Sequence, residues 1–434
     1  MKRSIAAAAA VAATGLLAAC SSSTPSPSGS AASGGGGSGT LLFALNAPVS
    51  ADPYYAAVIS RGAQLAVDQE NLAGGVKIGG TTYRLQLKTY DDQNDPTQAA
   101  SNVDSAIHDG AVAVIEDGIG TSISGAHSTA AGVPEIVITD GSTTALMDKN
   151  GNIVPSLFGL RIPNDAASDV LATYIYKSCQ KVAILHDDSD NGRDGASTLT
   201  GALQDTNINP SPVIEVAQNT PTLDTQALQI KQAGTCAVAL WGNDIFVAKA
   251  VAALRTAGVS AAIYTNQAGE SPAVRALDGP SVTNGVKLIS GRMDSEGDNT
   301  DFPAFEKALA ADHLGPTDAG FKDAEGQEIR QPNDIDFFSY DAVHVVIAAL
   351  QKQGSATPGQ TLLTDMTLVS VKSANGDARG FDSQAHDAFA FQDAYIAVIN
   401  DMQFEPVKDE ALSASLPDEN EILSQFATAP LEQT

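Results

Sequence analysis

The sequence predicts an α/β protein of two doubly wound lobes joined by three crossovers. Strand-like and helix-like segments alternate along the chain, the pattern of a mainly parallel sheet covered by helices. That alternation restarts near residue 164. The globular stretch, from Leu41 to about Asn400 of 434 residues, is also too long for most single hydrophobic cores.

The elements follow in order. Leu41 to Asn46 reads as a buried strand and Ala57 to Leu72 as a helix, with Ala63, Leu65, Ala66 and Val67 on helical spacing. Gly74-Gly75 ends that helix, because glycine takes the left-handed C-terminal conformation without side-chain cost. Alternation over Tyr83 to Tyr90 predicts a strand that runs into an acidic turn, and Pro96 opens a helix at Thr97 to His108. Ala111 to Glu116 is a strand, Ile123 to Ala131 a helix and Pro134 to Thr139 a strand; Ser156 to Arg161 leaves this lobe as an extended segment.

The pattern then repeats. Asn164 to Lys177 is helical, and Lys181 to His186 is a strand ending in a polar loop, Asp187 to Asp194. Helices at Gly195 to Asp205, Thr225 to Gln232 and Ile245 to Ala257 alternate with strands at Val213 to Ala217, Cys236 to Trp241 and Ala261 to Thr265. Gly285 to Ser290 crosses back, a long helix spans Ile335 to Gln351, and a third crossing lies near Leu368 to Ser373. The acidic run Asp294 to Asp301 reads as a solvated loop.

Both ends differ from the body. Lys2-Arg3, the apolar run Ala6 to Ala13 and the lipobox Leu17-Ala18-Ala19-Cys20 resemble a bacterial lipoprotein signal in residues 1–20, with Cys20 as the acylated residue. The apolar run is too short to span a bilayer, and no later segment approaches eighteen uninterrupted apolar residues. Residues 21–40 are Ser, Gly, Pro and Ala without periodicity, a flexible linker with a reach of roughly 25 Å. Residues 401–434 form an acidic C-terminal tail that carries no functional signal. A formal charge of −27 and a pI near 4.3 argue against nucleic acid as a partner, since that needs a basic face. For an exported protein the acidity mainly favours solubility and does not identify a cationic ligand.

Three ordered segments carry a resemblance: Gly62-Ala-Gln-Leu-Ala-Val-Asp68, Asn71-Leu-Ala-Gly-Gly75 and Tyr90-Asp-Asp-Gln-Asn-Asp-Pro96. Together they resemble the first lobe of the leucine/isoleucine/valine-binding proteins, the type I solute receptors of ABC importers. Ser339-Tyr340-Asp341-Ala342 matches a lobe I helix of that family, and Gly376 to Asp382 resembles its closing turn. The resemblance spans residues 41–400, with Asp318 to Pro332 as an insertion. It implies the type I periplasmic-binding-protein (Venus-flytrap) fold, with residues 41–160 plus 291–368 in lobe I and 161–290 plus 369–400 in lobe II.

In open α/β sheets ligands bind beyond the carboxyl ends of the strands. The resemblance names the loops there. Gly120 falls where the family has a ligand-holding serine, followed by Thr121; Gly141, Ser142 and Thr143 match a second loop, with Thr143 on its contact threonine. Tyr55 aligns with an aromatic lid, and Tyr54 is its rival. Lobe II should add Asp190 or Asn191, Asn243 or Asp244, and a residue within Gln267 to Glu270. The family's ammonium-pairing glutamate would fall near Ala268, where this chain has none; Glu270 and Asp244 are the remaining counter-charges. A buried ammonium without an anion is costly, so ligand identity is open between an amino acid, an amide or urea, and a carboxylate solute.

The residues offer no catalytic constellation. Six scattered histidines lack paired ligand spacing, and Asp187-x-Ser189-x-Asn191-Gly192 starts like an EF-hand loop but has Thr198 where a bidentate glutamate is needed, so no metal or other cofactor is expected. No GxSxG elbow, P-loop or GxGxxG fingerprint is present, and no enzyme activity is expected. Cys179 and Cys236 introduce the first and third strands of lobe II, which are neighbours in a doubly wound sheet, so they should form a disulfide across 57 residues. The expected function is capture of a small polar or amphipathic metabolite for ABC permease subunits, from a position anchored to the cell membrane by lipid. The alternative is a ligand-sensing subunit for a membrane receptor.

Overall fold

The computed structural model describes residues 38–275, 277, 279–291, 301–311 and 331–407. The lipobox with Cys20, the linker up to residue 37, nearly all of the expected insertion and most of the acidic tail lie outside them, and the last three linker residues begin the first strand.

The first sheet is assembled from β1 (Ser38–Ala47), β2 (Val76–Ile78), β3 (Thr81–Asp91), β4 (Ala111–Glu116), β5 (Glu135–Val137) and β6 (Leu157–Gly159), in the order β2-β3-β1-β4-β5-β6. All pairings are parallel except the short β2 at the edge. β4 is buried along its whole length, as a central parallel strand must be, whereas β3 mixes exposed with covered positions next to that edge. Between these strands run α1 (Pro53–Leu72), α2 (Pro96–His108) and α3 (Thr121–Ala131). Asp52 and Asp95 cap α1 and α2, each followed by proline at the first helical position.

The second sheet repeats the scheme. The chain passes through α4 (Asn164–Tyr176), β7 (Val182–Asp187), α5 (Asp190–Asp205), β8 (Val213–Val216), α6 (Asp224–Ala233), β9 (Ala237–Trp241), α7 (Asp244–Thr256) and β10 (Ala262–Thr265). Short helical turns, Gln267–Glu270, α8 (Pro272–Arg275) and α9 (Pro280–Thr283), lead into β11 (Lys287–Ser290). Then come α10 (Asp301–Ala311), α11 (Asp334–Gln353), α12 (Gln360–Met366), the small ribbon β12 (Val371–Lys372) and β13 (Ala378–Arg379), and the hairpin β14 (Tyr395–Asn400) and β15 (Gln403–Pro406). The strand order is β15-β14-β11-β10-β9-β7-β8. β7 and β9 are parallel neighbours, and the Cys179–Cys236 disulfide joins their amino-terminal edge with Cα atoms 5.7 Å apart.

Three differences from the sequence reading have physical causes. α5 starts at Asp190, inside the expected loop, because Ser189 accepts a hydrogen bond from Gly192 N at 2.9 Å and caps the helix there. Gly285 to Ser290 is more than a connection: Lys287–Ser290 inserts between β10 and β14. Gln403–Pro406, at the head of the expected tail, pairs with β14 and buries Phe404.

α11 belongs to the packing of the first sheet, where it lies against α1. At Gly62 a Cβ would sit 1.7 Å from the Asp336 carbonyl oxygen, so only glycine permits this approach. Beside it the Arg61 guanidinium meets the Asp336 carboxylate in a buried, two-point ion pair. Two further aspartates of α11 hold crossing segments. Asp334 accepts from Gly291 N (2.8 Å) and Ser290 Oγ (3.3 Å), and Asp341 accepts from Ala374 N (2.9 Å) and from the Ser373 hydroxyl.

Candidate functional site

The carboxyl ends of the parallel strands of both sheets lead into loops that meet between the two bodies. At the end of β1, Asp52 accepts from Tyr55 N at 3.0 Å and so fixes the first turn of α1. The Tyr55 hydroxyl bonds Thr139, and the charges of Asp117, Asp244 and Asp52 all act on it. Burial, then those charges, holds its proton on well above the ordinary tyrosine range.

After β4, Asp117 accepts from Ile119 N at 2.9 Å, while its Oδ2 is buried without a hydrogen-bond partner. Its side chain is only 3% exposed. Burial, then the neighbouring Asp92 charge, pushes its carboxyl up to about 8. Gly120 opens α3 at φ 89°, where a Cβ would meet the Pro96 carbonyl at 2.6 Å. Thr121 is buried, and its hydroxyl donates to the Gly118 and Ala145 carbonyls at 3.2 and 3.1 Å.

After β5, Asp140 accepts from Ser142 N at 2.9 Å, and burial raises its carboxyl against the pull of Arg161. Arg161 itself donates to the Gly141 and Ser142 carbonyls at 3.3 and 3.2 Å, fixing the loop from beneath. Thr143 then reaches across. Its backbone N–H and hydroxyl both donate to the Asp194 carboxylate, at 3.0 and 2.6 Å.

The facing loops are equally constrained. Asp187 accepts from Ser189 N (3.1 Å) and Asn243 N (3.0 Å), binding the ends of β7 and β9 together. Asn164 Nδ2 donates to Asn191 Oδ1 (2.9 Å) and Asp194 Oδ2 (3.0 Å), and its Oδ1 accepts from Trp241 Nε1 (3.3 Å). Gly195 is required there, since a Cβ would lie 2.0 Å from that indole nitrogen. Asn243 caps α7 by accepting from Phe246 N at 2.8 Å, and Asp244 accepts from Ser271 Oγ at 2.8 Å. Burial, then the charge of Asp52, raises the Asp244 carboxyl.

A family profile described as periplasmic binding protein matches residues 49–403. The chain belongs to that family. Among its relatives is the leucine-, isoleucine-, valine-, threonine- and alanine-binding protein of Pseudomonas aeruginosa, 25% identical over 325 residues, covering 74% of this chain and 80% of the relative. A periplasmic binding protein type 1 from Bordetella pertussis Tohama I superposes with a TM-score of 0.72 at 18% identity, over 85% of this chain and 100% of the other. A solute-binding protein of an ABC transporter from R. palustris, solved in complex with benzoate, superposes with a TM-score of 0.69 at 17% identity over 85% and 95%. The two α/β bodies are therefore the two lobes of the type I periplasmic-binding-protein fold. Membership implies a place outside the cytoplasm, and among the described residues no helix is long and apolar enough to cross a membrane.

In lobe terms, Thr143 of lobe I and Asn191 of lobe II are joined through Asp194 and Asn164, while the charge of Asp244 of lobe II acts on Tyr55 of lobe I. Gly120 and Gly141 provide backbone, Thr121 and Ser142 turn into lobe I, and Asn243 serves as a helix cap. Glu270, 2% exposed, accepts from Asp334 N at 2.6 Å, at the start of α11. Sequence reasoning missed Asp194 and Asn164, the partners of Thr143 and Asn191, and the buried Asp117. Asp194 was hidden by reading the first turn of α5 as loop.

Proposed function

We propose that this chain is the lipid-anchored, extracytoplasmic solute receptor of an ABC importer, capturing a small solute between its lobes for the permease subunits. One observation supports the reading above the others: Thr143 of lobe I and Asp194 of lobe II meet across the cleft, where loops from both sheets' strand ends converge. The solute would lie among Tyr55, the Gly120-Thr121 loop, Gly141 to Thr143, Asn191 and the Asn243-Asp244 turn, with Glu270 behind them. Residues 41–160 plus 291–368 would move as lobe I and 161–290 plus 369–400 as lobe II, the latter carrying β15. Favouring the closed state by a few kcal/mol is enough for a large population shift.

Thermal shift with amino acids, amides, ureas, aromatic acids and amines tests the reading. A true ligand at about a hundred times its Kd adds roughly 2.7 kcal/mol of stability, and scattering should show a smaller radius with it. A panel without any stabilising compound would refute the receptor reading. Cys20→Ala should free the protein from the membrane without changing its affinity; continued tight association would mean another anchor.

A further inference from the structure

Arg161 stands where the chain leaves lobe I, two residues after β6 and three before α4. It is 1% exposed, and a buried guanidinium is costly unless its surroundings answer it. The answer comes from two successive carbonyls of one cleft loop. Its Nη1 donates to Gly141 O at 3.3 Å and its Nη2 to Ser142 O at 3.2 Å. A trans peptide carries its C=O and its N–H on opposite sides of one rigid plane. In the Gly141–Ser142 plane Arg161 holds the carbonyl, and the N–H donates to Asp140 Oδ1 at 2.9 Å. In the next plane, Ser142–Thr143, Arg161 again holds the carbonyl, and the N–H donates to Asp194 Oδ2 of lobe II at 3.0 Å. Arg161 thus sets, through one plane, the direction of the backbone donor that leaves lobe I. The Thr143 hydroxyl goes the same way, to Asp194 Oδ1 at 2.6 Å.

The guanidinium is itself steadied from another part of the chain. Gly159 N donates to His386 O at 2.8 Å, and Ala388 N donates to Gly159 O at 2.8 Å, so residues 386–388, on the way to β14, lie along the end of β6. A Cβ at Gly159 would sit 2.2 Å from Asp387 Oδ1. Glycine leaves that space open, and Asp387 Oδ1 comes within 3.4 Å of Arg161 Nη2. A carboxylate on a stretch that returns to lobe II therefore stands against the base that orients the lobe I loop. The planar fork matters here, because a lysine ammonium is a point charge that cannot match two successive carbonyls in the same way.

We propose that Arg161 is a positioning residue for solute capture: steadied by Asp387, it turns the Thr143 N–H toward lobe II and presents it to the acceptor that fills the cleft. This rests on the reading of the cleft as the solute site and adds how that site's geometry is set. Arg161 touches no solute; it acts through the Ser142–Thr143 peptide.

Amide hydrogen exchange of the full chain, read by NMR without added solute, tests it first. Arg161→Lys keeps the charge and loses the fork, so exchange at Ser142 and Thr143 should quicken roughly tenfold or more while the β4 amides exchange as in wild type. Asp387→Asn, which leaves the arginine in place, should quicken the same two amides by a smaller factor. Unchanged rates at Ser142 and Thr143 would overturn the proposal, and so would a rise shared equally by β4, the mark of a general loss of stability. Should Arg161→Lys not fold, Asp387→Asn decides on the same criterion. Calorimetric titration with leucine and with benzoate then reads the consequence. For a solute that binds, Arg161→Lys should weaken affinity roughly tenfold, and Thr143→Ala on that background should cost less than about threefold more, since both act through one loop. Independent, additive effects would overturn the proposal. Silence from both solutes would count against the receptor reading and leave the exchange rates to decide the role of Arg161.

Discussion

Glu116→Gln should flatten the pH dependence of stability. Glu116 on β4 and Glu135 on the adjoining β5 are both fully buried. Burial, and then the charge of Glu135, holds the Glu116 carboxyl well above the usual carboxylate range. Burial also raises Glu135, against hydrogen bonds donated by Ser124 (2.6 Å) and Ser128. Glu116 therefore holds its proton to higher pH than an exposed glutamate does. A carboxyl raised in the folded state stabilises fully below its unfolded pKa and loses that contribution as pH rises through the folded value. In that window the native state holds one proton more than the unfolded chain, so stability falls by about 1.4 kcal/mol per pH unit. From pH 5 to 7 the loss is roughly 2.7 kcal/mol for one retained proton. Glutamine keeps the shape and a donor but does not titrate. Denaturant unfolding of both proteins at pH 5, 6 and 7 should show the variant gaining on the wild type by that amount. Glu135 interacts directly with Glu116, so the difference reports the pair, while raised carboxyls elsewhere titrate in both proteins. Parallel stability curves would show that the pair holds no extra proton and refute the argument.

Arg61→Met should destabilise the protein by about 3–5 kcal/mol, since it leaves the Asp336 carboxylate buried without its base; a midpoint within experimental error of wild type in urea would contradict this. Cys179→Ser with Cys236→Ser should cost roughly 4 kcal/mol in the chain-entropy account, and the native protein should show no reactive thiol from this pair without reductant. Thr143→Ala removes a hydroxyl bond to the charged Asp194 that closes the cleft. Such a bond is worth roughly 1.5–3 kcal/mol, so titration should show solute affinity about tenfold to a hundredfold weaker.

Much of the architecture is legible because period and punctuation agree. The apolar run Ala111 to Glu116 is β4 to the residue, and Pro96 sits at the first helical position after an aspartate cap. Cysteine placement, combined with strand order, located a contact between residues 57 apart. What stayed hidden depends on context that no local pattern carries. Ser189 to Gly195 holds two glycines and five polar residues, a poor helical stretch by propensity, yet a cap and the tight fit against Trp241 make it the first turns of α5. Glu116 ends an apolar strand, and its burial beside Asn46 of β1 and Glu135 of β5 is set by neighbouring strands that no local pattern names. The partnership of Thr143 with Asp194 joins two lobes across 51 residues, and loop alignment alone names only one side of it.

α11 gives the two lobes a shared axle. Its Asp336 is bolted to Arg61, while Asp334 and Asp341 grip the second and third connecting segments. Those grips lie on one rigid rod, two helical turns apart, so the connecting segments cannot slide independently. A displacement of one segment is passed through that helix to the other. A partner that reads the spacing between the lobes would then sense both connecting segments through one helix.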